Sequence, residues 1–216
     1  MYDLPKCTKI YEDGIKKYQT DTSEKYPSIT SLLSKTKDTS ALEQWRQDMG
    51  EQVAEYILKQ AGKIGTATHQ IIENYLKKST EYDISQNPLL ARAHFDNLKP
   101  FLGKITDVVG LEIPLYSDIL RTAGTADCIA KYDGKLSIID FKTSRSNKQE
   151  EWIEDYFLQA TAYSIMFEEH AKESIDQIVI LMSSEKTQSE AFIKNPTSYK
   201  DRLDERITEY YLKFPR

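Results

Sequence analysis

The 216-residue sequence predicts an α/β (α+β) domain in which helices flank a mixed central sheet. Three observations point to this class. Helical periodicity dominates the first hundred residues after an irregular start. Three β-type segments then follow closely between residues 104 and 142, spaced as antiparallel neighbours. Finally, a helical stretch over 149–169 leads to an apolar strand at 177–182, which is the crossover and return that give a sheet its parallel pair. Elements in that order pack as layers around one core.

In chain order, residues 1–25 are polar and loosely patterned and are expected to form an irregular arm. Ser28 is placed to cap a short helix through Leu33. A longer helix is expected from about Thr39 to Gln60, stopped near Gly62, and a second from about Thr66 to Lys78 with Ile71, Ile72, Tyr75 and Leu76 on its apolar face. A third covers about Asn87 to Phe101. Residues 26–101 therefore form a helical region, and 102–216 carry the strands with their crossover helix and returning strand, all within one domain over 1–216. Strands are expected at 104–116, 121–132 and 135–142, and a last helix from about Thr197 to Phe214 closes the chain.

The register of the central hairpin can be read directly. Asp133-Gly134 is a strong signal for a two-residue type I′ turn, because both central positions need positive φ. Counting outward from that turn, Tyr132 faces Lys135 and Asp127 faces Asp140, with Cβ atoms about 5 Å apart. Lys142, two residues beyond Asp140, shares the same face. Like charges directly opposite one another destabilise a sheet unless something positive lies between them. Asp140 also ends the apolar run Leu136-Ser137-Ile138-Ile139, so its carboxylate belongs to a buried strand, where an unpaired acid is expensive. Two carboxylates with an adjacent lysine are suited to holding a divalent cation at a phosphodiester. A chance pair of surface acids is the alternative, and a three-residue loop would turn one of the two to the other face.

Composition narrows the classes. With 39% hydrophobic residues the chain can bury a real core. It has no apolar run of membrane-spanning length, and its start lacks the apolar core of a signal peptide and the Arg-rich character of a transit peptide. A cytoplasmic, non-secreted protein of a bacterium or phage-infected cell is expected, with no membrane partner. The two cysteines, Cys7 and Cys128, cannot supply the four thiolates of an Fe–S cluster. A net charge of −5 argues against a broad duplex footprint. Arg121, Lys131, Lys142, Arg145 and Lys148 nevertheless gather around the hairpin. Fourteen tyrosines offer faces on which single-stranded bases could stack.

Several motifs together resemble a known family. Asp127 followed by Asp140-Phe141-Lys142 resembles the D…(D/E)xK signature of the PD-(D/E)XK nuclease superfamily. Gly65-Thr66-Ala67-Thr68-His69 resembles the GxxxH start of its RecB-type exonuclease branch, Gln159 to Tyr163 its QxxxY motif, and Glu112 the acid that precedes the hairpin. The order and spacing, with Tyr26-Pro27-Ser28-Ile29-Thr30, are most similar to the group of mitochondrial genome maintenance exonucleases and their phage and bacterial relatives.

The resemblance implies an αβββαβ core, hydrolysis of DNA, and Mg²⁺ or Mn²⁺ held by Asp127, Asp140 and the backbone carbonyl of Phe141, with His69 and Glu112 as further ligands. Lys142 then orients or deprotonates the attacking water or stabilises phosphoryl charge, and Gln159 reaches toward water or phosphate. Tyr163, Ser28, Thr30 and Arg145 are candidate DNA contacts. The helical region is implied to arch over the site and admit single strands with a free end. A monomer is expected, although an oligomer stays open. A duplex exonuclease of the phage lambda type or a nicking endonuclease is the alternative enzyme. A non-catalytic nucleic-acid-binding module is the alternative of another class.

Overall fold

The computed structural model describes residues 2, 4–12, 15–146 and 148–215. Its first element corrects an expectation. Where an irregular arm was expected, β1 (Cys7–Glu12), β2 (Ile15–Thr20) and β3 (Lys25–Pro27) form a three-stranded antiparallel sheet; residues 1, 3, 13 and 14 of that arm lie outside the described residues. The sheet is fastened by its tyrosines. Tyr18 and Tyr26 are buried with Cys7, Tyr116 and Ala123, so Cys7 belongs to a small core. A tyrosine buries a large apolar ring while its hydroxyl keeps a polar partner: Tyr26 Oη donates to Asp118 at 2.6 Å, and Tyr18 Oη meets Thr125 Oγ1 at 2.9 Å.

Ser28 caps α1 (Ile29–Lys35) as its sequence position predicts, accepting from the Ser31 N–H. The helices that follow are divided differently from expectation. α2 (Ser40–Met49) ends at Gly50, whose φ of 80° only glycine adopts freely, and α3 (Glu51–Leu76) then runs unbroken through Gly62 and Gly65. His69 therefore lies inside a long helix and not in a first turn. α4 (Leu89–Leu102) completes the helical region.

β4 (Ile105–Ser117), β5 (Thr122–Tyr132) and β6 (Lys135–Ser144) form the antiparallel meander, and Tyr132 pairs with Lys135 across a two-residue turn as counted from sequence. α5 (Glu154–Ala171) crosses over to β7 (Gln177–Ser184), which lies parallel to β6. β8 (Glu190–Lys194), not anticipated, adds an antiparallel edge, and α6 (Lys200–Lys213) follows. The sheet order β4-β5-β6-β7-β8 is mixed. Alternation along the strands gives each face its own core. Ile129, Ile138 and Ile180 pack with Phe157 and Met166 of α5, while Ile139, Phe141 and Leu181 pack with Ile71, Ile72 and Phe95 of α3 and α4. Each such residue contributes roughly 1.5–3 kcal/mol by leaving water. No helix among the described residues is long and apolar enough to cross a membrane.

Candidate metal centre and active site

Both hydrogen-bond ladders of β5 lapse at the same row. Pairing with β6 reaches Cys128–Ile139 and stops one row short of Asp127 and Asp140. Toward β4, the pairs Leu111–Cys128 and Ile113–Ala126 leave out Glu112 and Asp127 between them. Glu112 takes φ 51°, a left-handed conformation that costs a non-glycine residue on the order of 1–3 kcal/mol and is found where function needs a side chain re-aimed. One row of the sheet thus carries three carboxylates, and Asp127 at its centre is without a ladder partner on either side, whereas Asp140 still pairs with Ile180 of β7.

Asp127 substitutes its side chain for the missing ladder. Its Oδ2 accepts the Phe141 N–H at 2.9 Å. The same oxygen lies 3.6 Å from His69 Nδ1, while His69 Nε2 lies 2.8 Å from the Phe141 carbonyl oxygen. A ring nitrogen that meets a carbonyl must carry the proton, so Nε2 donates there and Nδ1 is the nitrogen turned toward the Asp127 carboxylate. Glu112 completes this group, and one ligand atom from each of His69, Glu112 and Asp127 lies within 4.8 Å of the others. Burial, then the neighbouring Asp127 charge, pushes the Glu112 carboxyl up. Two carboxylates and an imidazole within this reach form a donor set that fits a divalent cation.

The other half of the row is closed. Asp140 is 1% exposed. Its Oδ1 accepts from Gln159 Nε2 at 3.0 Å, and its Oδ2 lies 2.5 Å from Lys142 Nζ. Burial pushes the Asp140 carboxyl up to about 6, aided by Asp127 and opposed by Lys142. Burial also works against the Lys142 ammonium, yet the Asp140 and Asp127 charges outweigh it and raise its pKa. The lysine is thereby held as a cation beside the acidic row.

The structure thus brings Asp127, Asp140, Lys142, His69, Glu112, Gln159 and the Phe141 carbonyl together. It uses two other candidates differently. Tyr163 is 2% exposed, and its ring lies so close to Gly124 that a Cβ there would fall 2.6 Å from it. Its hydroxyl stands 3.5 Å from Gln159 Nε2; packing makes it a support for Gln159 and removes it from any DNA strand. Ser28 is fully buried with its hydroxyl 2.6 Å from Thr30 Oγ1, so the capping bond leaves it no phosphate to meet. Thr30 is exposed beside it, and Arg145 is exposed beyond β6.

Two clefts adjoin the site. One, of about 610 Å³, is lined by Lys9, His69, Gln70 and Glu112. The other, of about 720 Å³, lies between the helical region and the end of β6 and includes Trp45, Tyr56, Tyr156, Arg145 and Lys148. Lys142 Nζ sits 4.9 Å from the Tyr156 ring centroid, which joins this cleft to the acidic row. Sequence reasoning missed Lys9 and Tyr18. The signal that could have found them is the Asp13-Gly14 dipeptide, which carries the same hairpin information as Asp133-Gly134.

A sequence profile of the PD-(D/E)XK nuclease superfamily matches residues 91–213, more than half of the chain. Among individual proteins, mitochondrial genome maintenance exonuclease 1 of Homo sapiens is 29% identical over 147 residues, covering 63% of this chain and 42% of that protein. Its counterpart in Xenopus tropicalis is 31% identical over 148 residues, with the same coverage of 63% and 42%. That of Mus musculus is 28% identical over 130 residues, or 56% of this chain and 38% of the relative. The matches span less than half the length of these relatives.

Proposed function

The chain belongs to the PD-(D/E)XK nuclease superfamily, and on that premise we propose that it is a Mg²⁺- or Mn²⁺-dependent exonuclease that hydrolyses single-stranded DNA from a free end, in replication, recombination or repair. The observation that carries this reading is the cluster of His69, Glu112 and Asp127 set directly against the buried Asp140–Lys142 pair. A divalent ion bound there supplies Lewis-acid activation of the scissile phosphodiester.

The chain's own residues supply the remaining requirements. Lys142, kept protonated by Asp140 and Asp127, offers a fixed positive charge to the phosphoryl oxygens as they become more negative. That charge state favours a stabilising role over that of a general base. Gln159 fixes the rotation of the Asp140 carboxylate, and the Phe141 N–H fixes that of Asp127. His69 is oriented by the Phe141 carbonyl, as is usual for a ligating imidazole whose second nitrogen must be held. Hydrolysis adds water at phosphorus and breaks one P–O bond to a deoxyribose oxygen. The larger cleft supports the single-strand preference, since exposed Tyr56 and half-buried Trp45 and Tyr156 stand beside Arg145 and Lys148. Aromatic faces with cations accept unpaired bases and their backbone without reading sequence.

The test is a Mg²⁺-dependent digestion of linear single strands labelled at either end, circular single strands and blunt duplex. Loss of the linear strands alone supports the proposal, and the released label reports polarity. Cleavage of circles points to an endonuclease, and rapid loss of duplex to a duplex exonuclease. DNA binding without cleavage in Mg²⁺ or Mn²⁺ supports a binding module.

A further inference from the structure

We propose that the inward face of the N-terminal hairpin, Lys9 and Lys16 with Tyr11, is a second contact for the DNA strand, gripping two backbone phosphates and one base beside the metal centre. The inference rests on the nuclease reading for the identity of the strand, and on its own observations for the site.

The hairpin register defines the face. Lys9 pairs with Tyr18 and Tyr11 with Lys16. Directly paired residues, and residues two apart along a strand, share one face of a sheet. Lys9, Tyr11, Lys16 and Tyr18 therefore all project to the same side, and buried Tyr18 shows which side that is. Its hydroxyl meets Thr125, two residues before Asp127. The face that carries the two lysines is thus pinned against the strand that carries the central carboxylate. Lys9 also lines the 610 Å³ cleft together with His69 and Glu112.

Charge pairing distinguishes these lysines from their neighbours. Lys17 and Lys25, on the other face, both pair with Glu12. Among the described residues neither Lys9 nor Lys16 has a carboxylate within 4.0 Å. The Lys16 ammonium is partly buried and near Lys9, and both effects push its pKa down. Two neighbouring cations with no carboxylate within ion-pair distance among the described residues, one of them partly desolvated, gain from an anion placed between them. Phosphates of a strand entering the cleft supply that charge in a chain whose net charge is −5. Tyr11, 70% exposed beside Lys16, adds a ring on which a base can stack.

The test is equilibrium binding of a fluorescent single-stranded oligonucleotide to the full chain in EDTA, where turnover does not intervene. Lys9→Ala and Lys16→Ala are each expected to weaken binding about three- to tenfold near 0.1 M salt. Each is also expected to flatten the slope of log affinity against log salt by about 0.7, the share of one phosphate contact on a single strand. Lys9→Arg retains the slope, and Lys17→Ala leaves binding unchanged. In Mg²⁺, any defect should appear in KM with kcat held within about twofold. Folding of each variant is checked by its melting transition. Unchanged affinity and slope in the folded double variant Lys9→Ala/Lys16→Ala overturns the proposal, even if the wild type cleaves DNA. A wild type that binds through these lysines and cleaves nothing overturns the nuclease reading alone.

Discussion

The two halves of the acidic row present opposite states of completion. On the α5 side, Asp140 is enclosed with its counter-ion Lys142 and its orienting donor Gln159. On the α3 side, His69, Glu112 and Asp127 converge on one point with no lysine or arginine among the described residues paired to them. The closed half resembles a protein interior whose charges have been satisfied in advance, whereas the open half is satisfied only when something positive arrives. A residue that must hold its charge in a fixed place is best buried with its partner, and residues that must exchange water for a ligand are best left half exposed. The same sheet row serves both purposes because the backbone leaves its ladder there, freeing Asp127 and Glu112 to turn outward while Asp140 stays inside.

The largest effect should come from opening the closed half. Lys142→Met is expected to lower kcat about 10²–10³-fold while retaining oligonucleotide binding, as read by single-turnover cleavage and anisotropy. Because it strands Asp140 in the interior, it should also cost about 3–5 kcal/mol of stability in a urea titration. Adding Asp140→Asn should recover much of that stability and none of the activity. Gln159→Leu comes next, with a loss of about 10–100-fold in activity or metal affinity and little change in fold. Gly124→Ala probes the support behind Gln159. The methyl would meet the Tyr163 ring, so overpacking should cost about 1–3 kcal/mol, visible as a lower denaturation midpoint.

The smallest effect is one of pH. Burial raises the Asp140 carboxyl from the ordinary aspartate range to about 6 in the folded state, so the metal-free fold binds a proton that the unfolded chain releases. Its contribution is fully present below about pH 4 and lost as pH rises through about 6. Denaturation midpoints in EDTA should register that decline over this interval, and Asp140→Asn should remove it.

The hairpin of β5 and β6 was legible because one dipeptide, Asp133-Gly134, sets register, and register then places Asp127, Asp140 and Lys142. The apolar strand of β7 and the amphipathic second half of α3 were legible for the same reason, that burial writes a period into the sequence. The N-terminal sheet carries a dipeptide of the same kind, but Cys7–Glu12 and Ile15–Thr20 are rich in lysine and threonine and bury chiefly tyrosines, so no apolar alternation announces them. The unbroken course of α3 was hidden because glycine is only a weak helix breaker when packing holds the helix, as Ile71 and Ile72 do against the sheet. The lapse of both ladders at Asp127 and the left-handed backbone of Glu112 are tertiary outcomes with no local signature.

The division of the row is tested most directly by titrating Mn²⁺ calorimetrically into the wild type and into Asp127→Asn and Glu112→Gln, alongside Lys142→Met. Binding lost in the first two variants and retained in the third would support a metal held by the open half and a lysine that acts after it is bound. Mn²⁺ binding that survives both carboxylate changes would contradict the account.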